Sequence, residues 1–232
     1  MHLCIIGNSH VGSLKNAWTA LATKPEAISV EFFASPGDSL VALELKDGVI
    51  GAADEEVAER LRLTSGGKDQ IRPKDYDAFL LVGLGLRVPP IVHGISSAVV
   101  AQCCADVVSS SGALRLGLMI KSETDAAIYV SHTPLLAAET PLPAYRPYAE
   151  LYPLMKSHLD AHDMELLEQP AETVLLPCNT HMRFSVEADG PIASTLPGKV
   201  NVHMNAAYGQ IYLRDFFQRL SADRKAAAPK AR

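Results

Sequence analysis

The residues that decide the fold stand at the start of the chain, in Leu3-Cys4-Ile5-Ile6-Gly7-Asn8-Ser9-His10. The first four form a short continuous apolar run, which is typical of a strand buried on both faces of a parallel sheet. Residues 7–10 are small and polar, as in a turn, and residues 11–21 follow with apolar side chains at helical spacing. The stretch therefore predicts a strand, a tight turn and a helix, which is the opening unit of an α/β fold.

The same unit recurs along the chain. Further apolar runs that end in small-residue turns predict strands over 28–34, 78–82, 126–130 and 173–176. Helical patterns separate or follow them, over 95–108, 112–119, 144–168 and 206–220. Strands that alternate with helices predict a right-handed, doubly wound (flavodoxin-like) parallel sheet of about five strands flanked by helices, a three-layer α/β/α fold.

The length and composition fit a single domain. The chain has 232 residues, of which 48% are apolar and 20% charged, and this is enough to build one large core. We expect one domain over residues 1–221, with an insertion at about 44–75, where four glycines surround a charged helix-like piece. We expect residues 222–232 to form a flexible basic tail.

The charge balance and segment patterns disfavour several kinds of partner. The net charge is −5 and the basic residues are scattered, so nucleic acid is not expected to bind. The uncharged stretch 88–105 contains two adjacent prolines and several polar residues, which do not suit a membrane span. The chain enters its first strand without a leader pattern, and its four cysteines lack a disulfide framework. These features predict a cytoplasmic protein that binds no membrane.

Ser9 is the first candidate for chemistry. Ligands of an open α/β sheet bind beyond the carboxyl ends of the strands, where the turn with Ser9 would lie. A serine that heads a helix there has nearby backbone N–H groups and a partial positive charge, both of which stabilise an oxyanion. Serine is also a favoured helix cap, and capping is the more common role. A nucleophilic Ser9 therefore needs a base elsewhere in the chain.

Eight histidines could supply that base. His203 lies in a loop that enters the final amphipathic helix, and such a loop could return to the rim that carries Ser9. His10 is expected to point the other way at the start of its helix. His158 and His162 stand four residues apart, as metal ligands on a helix would, but their acidic surroundings favour a solvated face.

Two segments from opposite ends of the chain together resemble the SGNH (GDSL-type) hydrolase family. They are Gly7-Asn8-Ser9-His10 after the first strand and His203-Met204-Asn205-Ala206-Ala207-Tyr208-Gly209 before the last helix, so the resemblance spans residues 3 to about 220. It implies that Ser9 is the nucleophile and His203 the general base. It also implies that the backbone N–H groups of Ser9 and Gly37 donate to the oxyanion, and that the protein hydrolyses a small ester through an acyl-Ser9 intermediate.

The chain departs from the family pattern in two places. Where the family has Gly-x-Asn after the third strand, this sequence has Gly83-Leu84-Gly85, which leaves the backbone N–H of Gly85 as a substitute oxyanion donor. The family's aspartate three residues before the histidine is replaced by Val200. Asn201 is then a candidate third member of the site, with Asp189 from the preceding loop or a simple Ser–His dyad as alternatives.

A second serine lies in a tetrapeptide with the sequence Gly-Asp-Ser-Leu, after which the GDSL-type family is named. Gly37-Asp38-Ser39-Leu40 has that motif but follows the second strand, whereas the family's nucleophile follows the first. We therefore interpret Ser39 as a turn or cap residue, and as the less favoured alternative nucleophile.

Other functions remain open at this point. The departures from the pattern fit a catalytically weakened SGNH-like protein that binds a glycan or a partner. Residues 7–13 have the spacing of a nucleotide- or phosphate-binding P-loop, but Ser13 stands where its lysine belongs. Few aromatic residues favour a short acyl group such as acetyl, for instance on an O-acetylated carbohydrate. Acyl transfer to a sugar would use the same residues, and no metal or organic cofactor is expected.

Overall fold

The computed structural model describes residues 1–25, 27–140, 144–186 and 203–227. Its strands are β1 (His2–Gly7), β2 (Ser29–Ala34), β3 (Leu43–Lys46), β4 (Val49–Ala52), β5 (Gln70–Ile71), β6 (Ala78–Val82), β7 (Ala127–Ser131), β8 (Ala137–Ala138), β9 (Glu165–Leu167), β10 (Val174–Leu175) and β11 (Asn179–His181). Its α-helices are α1 (Val11–Ala20), α2 (Glu55–Ser65), α3 (Ser97–Ser109), α4 (Gly112–Lys121), α5 (Tyr148–Asp160) and α6 (Ala206–Ala227).

The central sheet has five parallel strands in the order β2-β1-β6-β7-β9. The chain starts inside this sheet, adds one strand on one side and then three on the other, which is the flavodoxin-like order. This order confirms the predicted doubly wound fold. It also places β1, and the turn that follows it, beside two neighbouring strand ends.

The two faces of β1 bury alternate side chains. Leu3 and Ile5 pack against α1 and α6, whereas Cys4 and Ile6 belong to the core under α3, α4 and α5. All four are fully buried. Because both faces are covered, the strand is apolar throughout rather than alternating, and the fold has three layers.

The segment predicted as an insertion contains its own small sheet. Strands β3, β4 and β5 pair antiparallel, and α2 follows β4. The Asp54 side chain caps α2 by accepting the N–H groups of Glu56 and Val57. Thr64 of α2 accepts the N–H of Ala34 at 2.9 Å, so this segment packs beside the edge strand β2.

The fifth strand of the sheet differs from the prediction. The run predicted over 173–176 contains β10, which pairs with β11 in a separate small sheet. The central sheet is completed by β9, inside the segment that was predicted to be helical. Helix α5 ends at Asp160, and Asp163 takes a left-handed φ of 51°, which turns the chain into β9. A strand of three residues has too little periodicity to be distinguished from a helix.

The last helix is longer than predicted and lies close to the first. α6 continues to Ala227 instead of ending near Leu220. At Gly209 it approaches α1 so closely that a Cβ would lie 2.2 Å from the carbonyl oxygen of Ser13. Only glycine permits this contact, which draws the start of α6 over the start of α1.

Helices α3 and α4 are separated by a sharp break. Each begins with a serine cap: Ser96 accepts the N–H of Val99, and Ser111 accepts the N–H of Leu114. Among the described helices none is by itself long and apolar enough to cross a bilayer. Only α3 and α4 together, bent by 56°, have the required length and composition.

Candidate active site

Three strands of the sheet end level with one another. Gly7 of β1 pairs with Ala34 of β2 on one side and with Val82 of β6 on the other. Neighbouring strands lie about 4.8 Å apart, so the turns after these residues start side by side. These turns carry the predicted site residues Ser9, Gly37 and Gly85.

The backbone N–H groups of Ser9, Gly37 and Gly85 are available to a ligand. Within the described residues none of the three donates to a protein acceptor, and all three residues are exposed. Their neighbours in the first turn are bonded: the N–H of His10 donates to Asn8 Oδ1 at 3.2 Å. The rim therefore presents three open donors, the type of group that stabilises a developing oxyanion.

The turn Gly83-Leu84-Gly85 has an unusual backbone. Its φ angles are +72°, +52° and +77°, and the left-handed conformation is rare for a residue such as Leu84. The N–H of Gly83 donates to the carbonyl oxygen of Ser131 at 2.8 Å, and the N–H of Thr133 donates to that of Leu86 at 2.7 Å. The turn that replaces the family's Gly-x-Asn is thus tied to the end of β7.

Asn8 is a site residue that the sequence analysis did not single out. Its side chain packs on Gly83, where a Cβ would lie 2.6 Å from Asn8 Oδ1. Because Oδ1 accepts the N–H of His10, the amide nitrogen Nδ2 is the remaining polar atom, and it has no acceptor within the described residues. The signal in the sequence was the small residue at position 83, which leaves room for a side chain from the neighbouring turn.

His203 reaches the same rim from the other end of the chain. Its carbonyl oxygen accepts the N–H of Val186 at 3.1 Å, and Asn205 caps α6 by accepting the N–H of Tyr208 at 3.1 Å. The centroid of the His203 ring lies 5.6 Å from that of His10, with 36° between the ring planes. The two predicted segments therefore meet in space.

Ser9 and His203 share the rim without a hydrogen bond between them. Both residues are exposed, and neither side chain makes a hydrogen bond within the described part of the chain. No side chain caps α1, so the Ser9 hydroxyl is not used as a helix cap. Hydrogen bonds between catalytic groups are often long before substrate binds, and the open arrangement is compatible with a nucleophile and its base.

His10 points into the site, contrary to the expectation that it points away. Its backbone is already helical (φ −68°, ψ −19°), and its ring lies beside His203 and is only 8% exposed. Burial above all, together with electrostatic interactions with His203, Arg87 and His132, lowers the pKa of His10 to about 4. The ring is neutral at physiological pH. The position of α6, which local sequence does not reveal, covers the ring.

His132, at the end of β7, is held entirely by protein. Its Nδ1–H donates to the carbonyl oxygen of Thr133 at 2.6 Å, and its Nε2 accepts the hydroxyl of Tyr148 at 2.9 Å. The same hydroxyl accepts the N–H of Gln169 at 2.9 Å. Burial lowers the pKa of His132 to about 4. Both ring nitrogens are used, so His132 has a structural role.

Ser39 uses its hydroxyl inside its own turn. It donates to the carbonyl oxygen of Pro36 at 2.8 Å and lies 2.7 Å from the hydroxyl of Ser35. This arrangement is that of a turn residue and leaves Ser39 less suited than Ser9 to act as a nucleophile.

The 7–13 loop offers few donors for a phosphate. The N–H groups of His10, Val11 and Gly12 are all bonded within the loop, to Asn8 and Ser9. A phosphate cradle depends on several free N–H groups that point at the same anion. The loop therefore lacks the main feature of a P-loop.

Both residues weighed as orienting groups, Asn201 and Asp189, lie outside the described residues, as does Val200. Across the ranges that the structure describes, no group of three or more His, Cys, Asp or Glu side chains is arranged to hold a metal ion.

The larger cavities lie away from these turns. Two cavities of about 380 and 370 Å³ flank β9, between α5 and α6. None of their lining residues belongs to the turns of Ser9, Gly37 and Gly85. Among the described residues, the two cavities of about 380 and 370 Å³ are therefore separate from the predicted site.

Comparisons with known proteins bear on the fold. No family model matches the chain, and no curated protein matches its sequence. The periplasmic domain of a lipopolysaccharide acetyltransferase from Salmonella ser. Paratyphi A is similar over 94% of this chain and 83% of its own, with 9% identity and a TM-score of 0.50. A proposed arylesterase from Agrobacterium tumefaciens str. C58 is similar over 95% and 98%, with 11% identity and a TM-score of 0.41. A DUF4886 family protein from Bacteroides uniformis ATCC 8492 is similar over 100% and 87%, with 12% identity and a TM-score of 0.43. The first of these likenesses shows the fold alone.

Proposed function

We propose that this protein is a serine acyl-ester hydrolase in which Ser9 is the nucleophile and His203 the general base. The proposal rests on one observation above all: the His203 ring lies 5.6 Å from that of His10, the residue next to Ser9, although the two segments come from opposite ends of the chain. The open N–H groups on the same rim and the fold likeness support it further.

The proposed reaction has two stages. Ser9 Oγ attacks the ester carbonyl carbon while His203 takes the hydroxyl proton, and His203 then gives that proton to the leaving alcohol. This forms an acyl-Ser9 ester. Water then attacks the acyl carbon, His203 takes a proton from it, and the proton returns to Ser9 Oγ as the acid leaves. The N–H groups of Ser9, Gly37 and Gly85 stabilise the oxyanion in both stages.

We expect the turnover of the proposed enzyme to be lower than that of serine hydrolases with a complete set of oxyanion donors. Loss of one oxyanion donor typically lowers turnover by about 10²–10³-fold, and this chain has Gly85 where an asparagine amide would donate. The backbone N–H of Gly85 replaces that amide in part. The side-chain amide of Asn8 packs on Gly83 of this turn.

The proposed substrate carries a short acyl group. Within the described residues, the cavities of about 380 and 370 Å³ lie away from these turns, which favours a small acyl group over a long acyl chain. The structural neighbour from Salmonella is a lipopolysaccharide acetyltransferase domain, which supports acetyl on a carbohydrate as the first substrate to test. It also makes a sugar hydroxyl, in place of water, the alternative acyl acceptor.

Hydrolysis of p-nitrophenyl acetate and butyrate tests the proposal. We expect the acetate to be the better substrate and Ser9→Ala to lower turnover at least about 10³-fold, to the background rate. His203→Ala should cause a comparable loss. Ser39→Ala is the matched control, since it removes the alternative hydroxyl in the next turn, and it should retain activity within about threefold if Ser39 is a turn residue.

Three outcomes are informative. Equal rates for the wild type and Ser9→Ala contradict the proposal and favour a protein that binds a glycan or partner without turnover. Activity lost in Ser39→Ala and kept in Ser9→Ala assigns the nucleophile to the second turn instead. Repeating the assay with sugars present, and weighing the products by mass spectrometry, separates transfer from hydrolysis.

A further inference from the structure

A small cavity beneath His10 contains two polar atoms without partners. It has a volume of about 10 Å³, and its polar lining residues are His10, Ser13, Ser131, Tyr208 and Tyr212. Within the described residues, His10 Nδ1 and the Tyr212 hydroxyl are sealed from solvent and make no hydrogen bond. Tyr212 is only 4% exposed, and its hydroxyl lies beside Ser131, whose own hydroxyl donates to the carbonyl oxygen of His132 at 3.1 Å. A polar cavity of this size has room for one water molecule.

The two nitrogens of His10 have different surroundings. Nδ1 is the sealed nitrogen and lies on the cavity side. Nε2 also lacks a protein partner within the described residues but is not sealed, so it lies on the solvent side of the ring. The exposed ring of His203 is beside His10, at 5.6 Å between centroids. Nδ1 therefore faces the cavity, and Nε2 is the ring nitrogen left for contacts outside it.

We propose that His10 is the positioning residue for His203, with its tautomer fixed by one water molecule in the cavity. His10 Nδ1–H donates to this water, which in turn bonds to the Tyr212 hydroxyl. The lone pair on Nε2 then accepts the N–H of His203. His10 thus takes the place of an aspartate that this chain lacks at Val200. The inference rests on the proposed function, because it assigns the group that orients the base of that site.

The tautomer decides whether His10 helps or blocks the base. A general base needs one nitrogen with a lone pair for the serine proton, and it can donate through the other nitrogen. If His10 carried its proton on Nε2, it would donate to His203, whose remaining nitrogen would then bear the proton and could not accept one from Ser9. Only the Nδ1–H form of His10 leaves His203 able to act.

The charge state of His10 suits this role. Its pKa is lowered to about 4 by burial first and then by electrostatic interactions with His203, Arg87 and His132, the charged and titratable groups that act on it. His10 therefore stays neutral and keeps its Nε2 lone pair when His203 takes the proton of Ser9. No second proton moves. A neutral acceptor stabilises the resulting imidazolium less than a carboxylate would, in keeping with a slow enzyme.

Nitrogen-15 NMR of the histidine rings tests the inference on the full chain without any substrate. At pH 7 we expect His10, assigned by its loss in His10→Asn, to be neutral and in the Nδ1–H form. Tyr212→Phe, which removes one anchor of the water, should change the Nδ1 shift of His10 and speed exchange of its proton. The Nε2–H form, a charged ring at pH 7, or no response to Tyr212→Phe would overturn the inference.

Kinetics with a matched pair of variants provide a second test. His10→Asp and His10→Asn differ in charge and little in shape. We expect both to lower kcat with KM nearly unchanged, and the acid limb of the kcat/KM profile to lie about one pH unit higher in His10→Asp, because a nearby carboxylate raises the pKa of His203. A purely structural role for His10 would leave the two acid limbs at the same pH.

The two tests separate this inference from the proposed function. If Ser9→Ala abolishes activity but the NMR spectrum shows His10 as Nε2–H, the function stands and the assignment of His10 is wrong. If no esterase activity is found, the tautomer and the Tyr212→Phe response still decide whether the cavity fixes His10.

Discussion

Two buried histidines follow strands of the central sheet, and they differ in their hydrogen bonds. His10 follows β1 and His132 follows β7, and burial lowers the pKa of each to about 4. Both nitrogens of His132 are hydrogen-bonded by protein, whereas neither nitrogen of His10 has a partner within the described residues. Burial sets the charge state of both rings, but only the unsatisfied ring is free to take part in chemistry.

The surroundings of the two histidines show the same contrast. Beyond β7, Gln169 accepts the N–H of Leu135 at 3.0 Å and donates to Thr173 and Thr180 at 3.1 and 2.9 Å. That side of the rim is closed by a hydrogen-bonded network, in which the buried Thr133 hydroxyl lacks a partner among the described residues. Beyond β1, β2 and β6, the turns leave backbone donors open to solvent. We therefore place the chemistry on the β1 side of the rim.

The largest effect is expected from a variant that separates His203 from His10 and leaves His132 intact. Gly209→Ala would put a Cβ 2.2 Å from the carbonyl oxygen of Ser13, so α6 must move away from α1. We expect a loss of about 3 kcal/mol in the free energy of unfolding, measured in urea, and the loss of any esterase activity.

Gly12→Ala is the matched control for that substitution. Gly12 also lies in a helix of this pair, but a Cβ there meets nothing within 4 Å. Since alanine favours a helix over glycine, we expect stability to rise by up to about 1 kcal/mol. Equal effects of the two substitutions would contradict the close approach of α6 to α1.

Acid should lower the stability of the fold, because both histidines are buried and have a low pKa. Each has a folded pKa near 4 against an ordinary value of 6.5, so the unfolded chain binds more protons between these pH values. The free energy of unfolding should then fall as the pH is lowered from 6.5 to 5, by up to about 2 kcal/mol per histidine. Urea denaturation at several pH values measures the slope. His10→Asn should make it shallower, and an unchanged slope would argue that His10 is not buried.

A pair of tyrosine variants tests the difference in hydrogen bonding. The Tyr148 hydroxyl donates to His132 and accepts from Gln169, so Tyr148→Phe should lower the free energy of unfolding by about 2 kcal/mol. The Tyr212 hydroxyl lies beside Ser131 but does not meet the hydrogen-bond geometry that Tyr148 meets, so Tyr212→Phe should change that free energy by less than about 1 kcal/mol. If Tyr212→Phe lost more stability than Tyr148→Phe, the side of the rim closed by protein hydrogen bonds would be that of Tyr212 and not that of Tyr148.

The smallest effect concerns Arg87, an exposed cation near the site. Its charge lowers the pKa of His10, whereas the low pKa of His132 is due to burial. Arg87→Gln should therefore raise the pKa of His10 slightly and leave that of His132 unchanged, as followed by NMR titration. Identical changes at both histidines would mean that Arg87 acts on neither ring directly.

The parts of the fold that the sequence predicts are those with a strong local pattern. The run Leu3 to Ile6 is apolar because both faces of β1 are covered, and the turn after it is made of small polar residues. The strand over 165–167 escaped prediction because three residues at a sheet edge carry almost no periodicity. The same holds for the pairing of β10 outside the central sheet.

The site was predictable only in part, for a different reason. Ser9, Gly37 and Gly85 follow strands whose order is readable, so their shared rim could be anticipated. The direction of the His10 ring depends on how closely α6 approaches at Gly209, and the packing of Asn8 on Gly83 depends on two turns far apart in sequence. Such contacts arise from tertiary packing, which no local pattern encodes.

Covalent labelling tests the central claim, that Ser9 and His203 act as a pair, most directly. We would treat the wild type, Ser9→Ala and His203→Ala with a fluorophosphonate and follow adduct formation by intact mass and peptide mapping. The account predicts one adduct, on Ser9, that forms rapidly in the wild type, much more slowly in His203→Ala and never in Ser9→Ala. Labelling of Ser39, or equal rates in the wild type and His203→Ala, would contradict it.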